Sequence, residues 1–205
     1  MNSSPPCVVL RVTFRGEVSG LIRDEELCRQ VQEGSEAALE ALVHRYHRPI
    51  FAYLYRLTMH QQTAEDLTQE TFTRLLAQIH TYRFPRPFRP WIYTIAHNLY
   101  RDHVKAAARR AFPAADPDRV RPSPVVDLSE QIAEQAALSQ ALRALDEGER
   151  AVLLLRFYHG LSSPEVAEVV GIPPGTVRSR LSRAVRKLRD LLEPTAAQDG
   201  RSEMR

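Results

Sequence analysis

Between Leu161 and Leu188 a short apolar-periodic segment, a glycine and a longer apolar-periodic segment follow one another at a spacing that two crossed helices satisfy. Ser162 and Glu165 form an S-x-x-E start signal, in which each side chain satisfies a backbone N–H that the first helical turn leaves unpaired. Gly171 closes this segment, because a left-handed turn costs glycine nothing. Pro173 or Pro174 then opens the next helix, where a missing N–H is no loss. Ala167 stands four residues before Gly171 and Val177 six after it: a small residue where helices cross, then an apolar anchor. This is the arrangement of a helix-turn-helix. Val177, Leu181, Ala184, Val185 and Leu188 are the expected buried stripe of the second helix.

The opposite face of that helix carries Thr176, Arg178, Ser179, Ser182, Arg183 and Arg186. Arginine offers bidentate contact to guanine, and hydroxyls suit base edges or phosphate. Net charge over the whole chain is only +3, yet six basic residues and one acid lie between Pro174 and Asp190. That local excess points to a polyanion. Arg178, Ser179, Ser182 and Arg183 sit where the helix enters a groove. Arg186, Lys187 and Arg189 lie farther along, where phosphate is the expected target.

The rest of the 205-residue chain reads as helix. Asp24 to Glu33 forms a short helix stopped by Gly34. Leu39, Leu42, Val43, Tyr46, Ile50, Tyr53, Leu54 and Leu57 share one stripe, with Pro49 expected to bend or break it. Thr63 and Asp66 form a T-x-x-D start for a helix reaching about His80, with Leu67, Phe72, Leu75, Leu76 and Ile79 buried. A further helix begins near Trp91 and buries Ile92, Ile95, Ala96 and Leu99. Asp146 and Glu149 cap a helix in the second half, after one carrying Leu138, Leu142 and Leu145. Four prolines between Pro113 and Pro124, with no apolar period, mark a linker. The expected plan is all-α, with two small helical domains. It comprises an N-terminal extension (1–22), a first domain (23–107), a linker (108–130), a second domain (131–193) and a tail (194–205).

Three stretches carry a family resemblance. Ala64-Glu-Asp-Leu-Thr-Gln-Glu-Thr-Phe resembles the AEDLVQETF signature of region two of sigma-70 factors. Trp91-Ile-Tyr-Thr-Ile-Ala-His-Asn98 is similar to the FRxWLYRIAxN segment of the extracytoplasmic-function (ECF) group. The run from Leu161 to Leu181 resembles region four, LSYEEIAxxxGxPxGTVxSRL. The absence of a region-three domain between them fits the ECF group. The resemblance implies an alternative sigma factor that binds core RNA polymerase, through the β′ coiled coil and the β flap, and directs promoter recognition and melting. On polymerase it implies Asp66, Gln69, Glu70 and Thr73. On the minus-ten element it implies Arg89, Trp91, Tyr93, His97, Asn98, Arg101 and Lys105, with Asn98 reading a base lifted from the stack. On the minus-thirty-five element it implies Thr176, Arg178, Ser179, Ser182, Arg183, Arg186 and Lys187. It also implies an anti-sigma partner and a free chain that is monomeric. The sequence departs from the pattern at Thr94, where arginine is usual, and in the Arg- and Pro-rich loop 83–90.

A stand-alone helix-turn-helix regulator is the alternative, and it would require a dimerisation or ligand domain. An enzyme is not expected: no P-loop, Rossmann or nucleophile-elbow motif is present. His44 and His47 have no third ligand, so neither metal nor cofactor is expected. With two cysteines, no long apolar run and no signal-peptide pattern, the expected compartment is the cytoplasm, and the resemblance implies a bacterial one.

Overall fold

The computed structural model describes residues 22–110 and 140–192. Its helices are α1 (Asp24–Gln32), α2 (Glu36–Thr58), α3 (Gln61–Gln78), α4 (Phe88–Arg110), α5 (Glu147–Leu153), α6 (Ser163–Val170) and α7 (Pro174–Leu192). A 3₁₀ turn (Ile79–Thr81) follows α3, and a π-helical segment (Leu154–Tyr158) follows α5. Among the described residues there is no strand. The all-α, two-domain architecture is as expected. The expected extension up to residue 21, the linker beyond residue 110 and the tail lie outside the described residues, as does most of the helix carrying Leu138. α4 itself runs to Arg110, taking up the first three residues of the expected linker.

In the first domain α1–α4 pack around Leu42, Ile50, Tyr53, Leu54, Leu75, Phe88 and Ile92, all essentially without solvent exposure. Asp24, in the first turn of α1, accepts hydrogen bonds from Arg45 and from the Tyr46 hydroxyl, tying α1 to the middle of α2. Pro49 does not break α2. It removes one intrahelical hydrogen bond, while Tyr46, Ile50, Tyr53, Leu54 and Leu57 hold both flanks in the core.

α3 begins three residues earlier than the T-x-x-D signal suggests. Its N-cap is His60, whose Nδ1 accepts from the Thr63 backbone N–H at 3.3 Å. Thr63 therefore belongs to the first turn, which contains no acid. Buried positions on α3 include Ala64, Leu67, Thr68, Thr71 and Leu75, whereas Leu76 is 46% exposed. Leu76 lies outside the buried face formed by Ala64, Leu67, Thr68, Thr71 and Leu75, and the two threonines satisfy their hydroxyls on the Ala64 and Leu67 carbonyls.

The second domain follows its caps closely. Asp146 with Glu149 and Ser162 with Glu165 each close a complete capping box, a feature that contributes about 0.5–2 kcal/mol per cap. Gly171 ends α6 at φ +69°, the left-handed geometry that any side chain would strain. Val177 and Ala184 of α7 are fully buried, and Leu181 and Leu188 are partly buried against the same core. Val185 is exposed, contrary to its expected place in the stripe. It lies on the flank of the helix, and the core beneath is filled by the four residues at i, i+4, i+7 and i+11.

Candidate nucleic-acid interface

On α3, Asp66, Gln69 and Thr73 are exposed and Glu70 is half-exposed. Steps of three and four put the four on one solvent-facing stripe. Their side-chain partners are local: Gln62 donates to Asp66 at 3.1 Å, and Arg74 pairs with Glu70 at 2.9 Å. Since the first turn is Gln61 to Thr63, the acids Glu65 and Asp66 gain nothing from the helix dipole. What remains is an acidic and amide-bearing stripe whose side-chain bonds among the described residues are local.

The seven α4 residues divide. Asn98 and Lys105 are exposed and Arg101 is half-buried, and they share one face at i, i+3 and i+7. Thr94 joins that face one turn earlier, its hydroxyl donating to the Pro90 carbonyl at 2.8 Å. Trp91, Tyr93 and His97 are buried. Trp91 packs on Tyr82 and Phe88, with ring centroids 5.2 and 5.8 Å away, and belongs to the core. His97 meets the Tyr53 hydroxyl through Nδ1 at 3.0 Å. Burial, with Arg101 nearby, holds its pKa down at about 4, so it is neutral at pH 7 and carries no phosphate-binding charge. In this arrangement three of the expected minus-ten residues cannot touch nucleic acid.

On α7, Arg178, Ser179, Ser182, Arg183, Arg186 and Lys187 are exposed and Thr176 is half-buried. The basic residues are not equivalent. Glu149 is buried beneath the helix, and its carboxylate receives Lys187 Nζ at 2.7 Å and lies 3.7 Å from Arg183 Nε. Lys187 thus has a structural partner, whereas Arg186 projects from the outward side with Ser179 and Ser182. The expected division of labour shifts accordingly. Arg186→Ala is expected to lower the salt slope of DNA binding by about one. Lys187→Ala is expected to leave the slope nearly unchanged and to cost about 1–3 kcal/mol of stability, because Glu149 loses its closest cation. Affinity titrations across salt, with thermal unfolding of both variants, separate the two.

The sequence reading missed the contact between the domains. α6 and the π-helical segment lie against α4 and α2. The wider turn, closed by the His159 N–H on the Leu154 carbonyl at 3.0 Å, aims His159 inward and leaves Phe157 and Tyr158 exposed. His159 Nδ1 meets the Tyr93 hydroxyl at 2.7 Å, and the Tyr53 ring stands edge-on at 5.5 Å. Arg89 donates to the His159 carbonyl, Arg86 pairs with Glu168, and Arg150 reaches the Leu57 carbonyl at 3.2 Å. Arg56 donates to the Tyr158 hydroxyl at 2.6 Å and lies over that ring, 3.9 Å from its centroid. A histidine after an aromatic pair carries no periodic signal, so nothing in the sequence marked this contact.

Residues 42–110 match the family model described as Sigma-70 region 2, and residues 135–188 the one described as Sigma-70, region 4. The chain is 36% identical to the ECF RNA polymerase sigma factor BldN of Streptomyces coelicolor, over 83% of this chain and 66% of that protein. It is 31% identical to the RNA polymerase sigma-H factor of Pseudomonas aeruginosa, over 84% of this chain and 95% of that protein. Among solved structures it is similar to CnrH in complex with the cytosolic domain of CnrY. That match has a TM-score of 0.64 and 28% identity, and covers 82% of this chain and 96% of that one.

Proposed function

Because this chain belongs to the ECF subfamily of sigma-70 factors and is an alternative sigma factor, we propose a division of its surface into three working faces. The α3 stripe of Asp66, Gln69, Glu70 and Thr73 docks on the β′ coiled coil of core polymerase, and the second domain sits on the β flap. Asn98, Arg101 and Lys105, with Arg89, engage the melted minus-ten element; Tyr93 joins them only once the domains separate, while His97 stays on Tyr53 inside the first domain. Arg178, Ser179, Ser182, Arg183 and Arg186 engage the minus-thirty-five element, α7 lying in the major groove. The work takes place in the bacterial cytoplasm, as transcription initiation without chemistry of the chain's own. An anti-sigma protein is the expected inhibitor, in keeping with a solved relative bound to a cytosolic protein domain. The stand-alone regulator is not favoured, since the relatives are polymerase sigma factors.

The observation that carries this reading is the exposed row of Asn98, Arg101 and Lys105 beside buried aromatics on α4. An amide both donates and accepts, so Asn98 can read a base edge once the base leaves the stack. Asn98→Ala is expected to slow open-complex formation by holoenzyme and to relax preference at one minus-ten position, at about 1–3 kcal/mol of discrimination. Permanganate footprinting on a promoter panel measures this. Undiminished preference at every position would assign base reading to another residue.

A further inference from the structure

Tyr93 of α4 is covered by the chain's own second domain, Arg89 stands at the edge of the cover, and the cover is held at one buried imidazole. His159 is 5% exposed, between Tyr53 of α2 and Tyr93 of α4, themselves 0% and 1% exposed. Charged groups facing it are Arg89 from α4 and Arg56 from α2. Its own segment adds Tyr158, and Arg86–Glu168 closes the rim on the α6 side. No acid neighbours the ring among these groups. Nδ1 has the Tyr93 hydroxyl, but Nε2 is buried without a hydrogen-bond partner among the described residues. The contact therefore accepts a neutral imidazole and rejects an imidazolium, which would bury a second N–H without an acceptor between two guanidinium groups.

We propose that the second domain competes with promoter DNA for the Arg89–Tyr93 end of the minus-ten helix, and that His159 is the proton-sensitive latch of this closed form. The proposal rests on α4 being the minus-ten helix. Burial and the two arginines hold the His159 pKa at about 3, against an ordinary value of 6.5. A histidine depressed in the closed form favours closure fully above pH 6.5 and loses that contribution as pH falls toward 3. Each pH unit below 6.5 then shifts the equilibrium roughly tenfold toward the open form.

The test uses the free full-length chain. Its radius of gyration by small-angle scattering is expected to be compact at pH 7.5 and larger at pH 5.5. His159→Phe keeps the aromatic packing without a proton site and is expected to stay compact at both. This separates the latch from His97, which also titrates low but lies within the first domain. His159→Arg is expected to be open at pH 7.5, and Glu168→Arg, on the exposed rim, gives the same direction without touching the core. Circular dichroism checks that each variant keeps its helices. A fluorescent random-sequence single-stranded oligonucleotide is expected to bind open forms about tenfold more tightly. Equal dimensions for the wild type at both pH values, or expansion of His159→Phe alongside it, would overturn the latch. Opening without any gain in oligonucleotide affinity would overturn the competition but not the assignment of α4, which the Asn98→Ala promoter panel tests separately.

Discussion

Reversing Asp66 and Glu70 to lysine is expected to abolish stable association with core polymerase. Both carboxylates stand on one exposed stripe of α3, and their side-chain partners are the neighbours Gln62 and Arg74. Two cations in their place would face a basic docking surface, and like-charge juxtaposition across an interface costs on the order of several kcal/mol. The same substitutions touch no buried group, so the fold should tolerate them within about 0.5 kcal/mol. Calorimetric titration against core enzyme, with circular dichroism of the double variant, reads both effects. Retained affinity with an intact helix spectrum would move the polymerase contact off α3.

The largest loss of stability is expected at Phe88, the first residue of α4. Its ring has no solvent exposure and meets Tyr46 at 5.1 Å, Trp91 at 5.8 Å and Tyr82 at 6.0 Å between centroids. Phe88→Ala removes the common neighbour of three rings and leaves a cavity, a change worth about 3–5 kcal/mol. The start of α4 is also fixed by the Phe88 backbone N–H on Glu25 at 3.3 Å, so the cavity loosens the helix on which Asn98 is mounted. Denaturant unfolding of the full chain measures the loss. A drop below about 1 kcal/mol would mean that α4 is anchored elsewhere.

How far the sequence could be read varies with the range of the interaction. The second domain was legible because its signals are local: the two capping boxes, Gly171 and the Val177 stripe all lie within one turn of what they specify. α3 shows the limit. His60 caps it with a ring nitrogen, an uncommon N-cap, so the helix starts three residues before the Thr63 signal and Asp66 falls outside the first turn. Pro49 shows another limit, since tertiary burial on both sides of it outweighs one lost hydrogen bond. The candidate site divides the same way. Exposure of Asn98, Lys105 and Arg186 follows from helical period alone. The Lys187–Glu149 pair, the burial of Tyr93 and His97, and the entire His159 contact join residues 38 to 106 positions apart, the widest being Tyr53 with His159. Spacing within one helix says nothing about such pairs.

The central claim is that this chain confers promoter choice on core polymerase through both domains at once. An isolated helix-turn-helix buries little surface, and joining the two domains' weak contacts on one DNA raises their effective concentration. The most direct measurement is transcript 5′-end sequencing from genomic DNA with core enzyme alone, with core plus this chain, and with core plus the Asp66→Lys/Glu70→Lys variant. The account predicts a set of start sites absent with core alone, sharing two upstream elements at one fixed spacing, and lost with the variant. Start sites identical with and without the chain would contradict it.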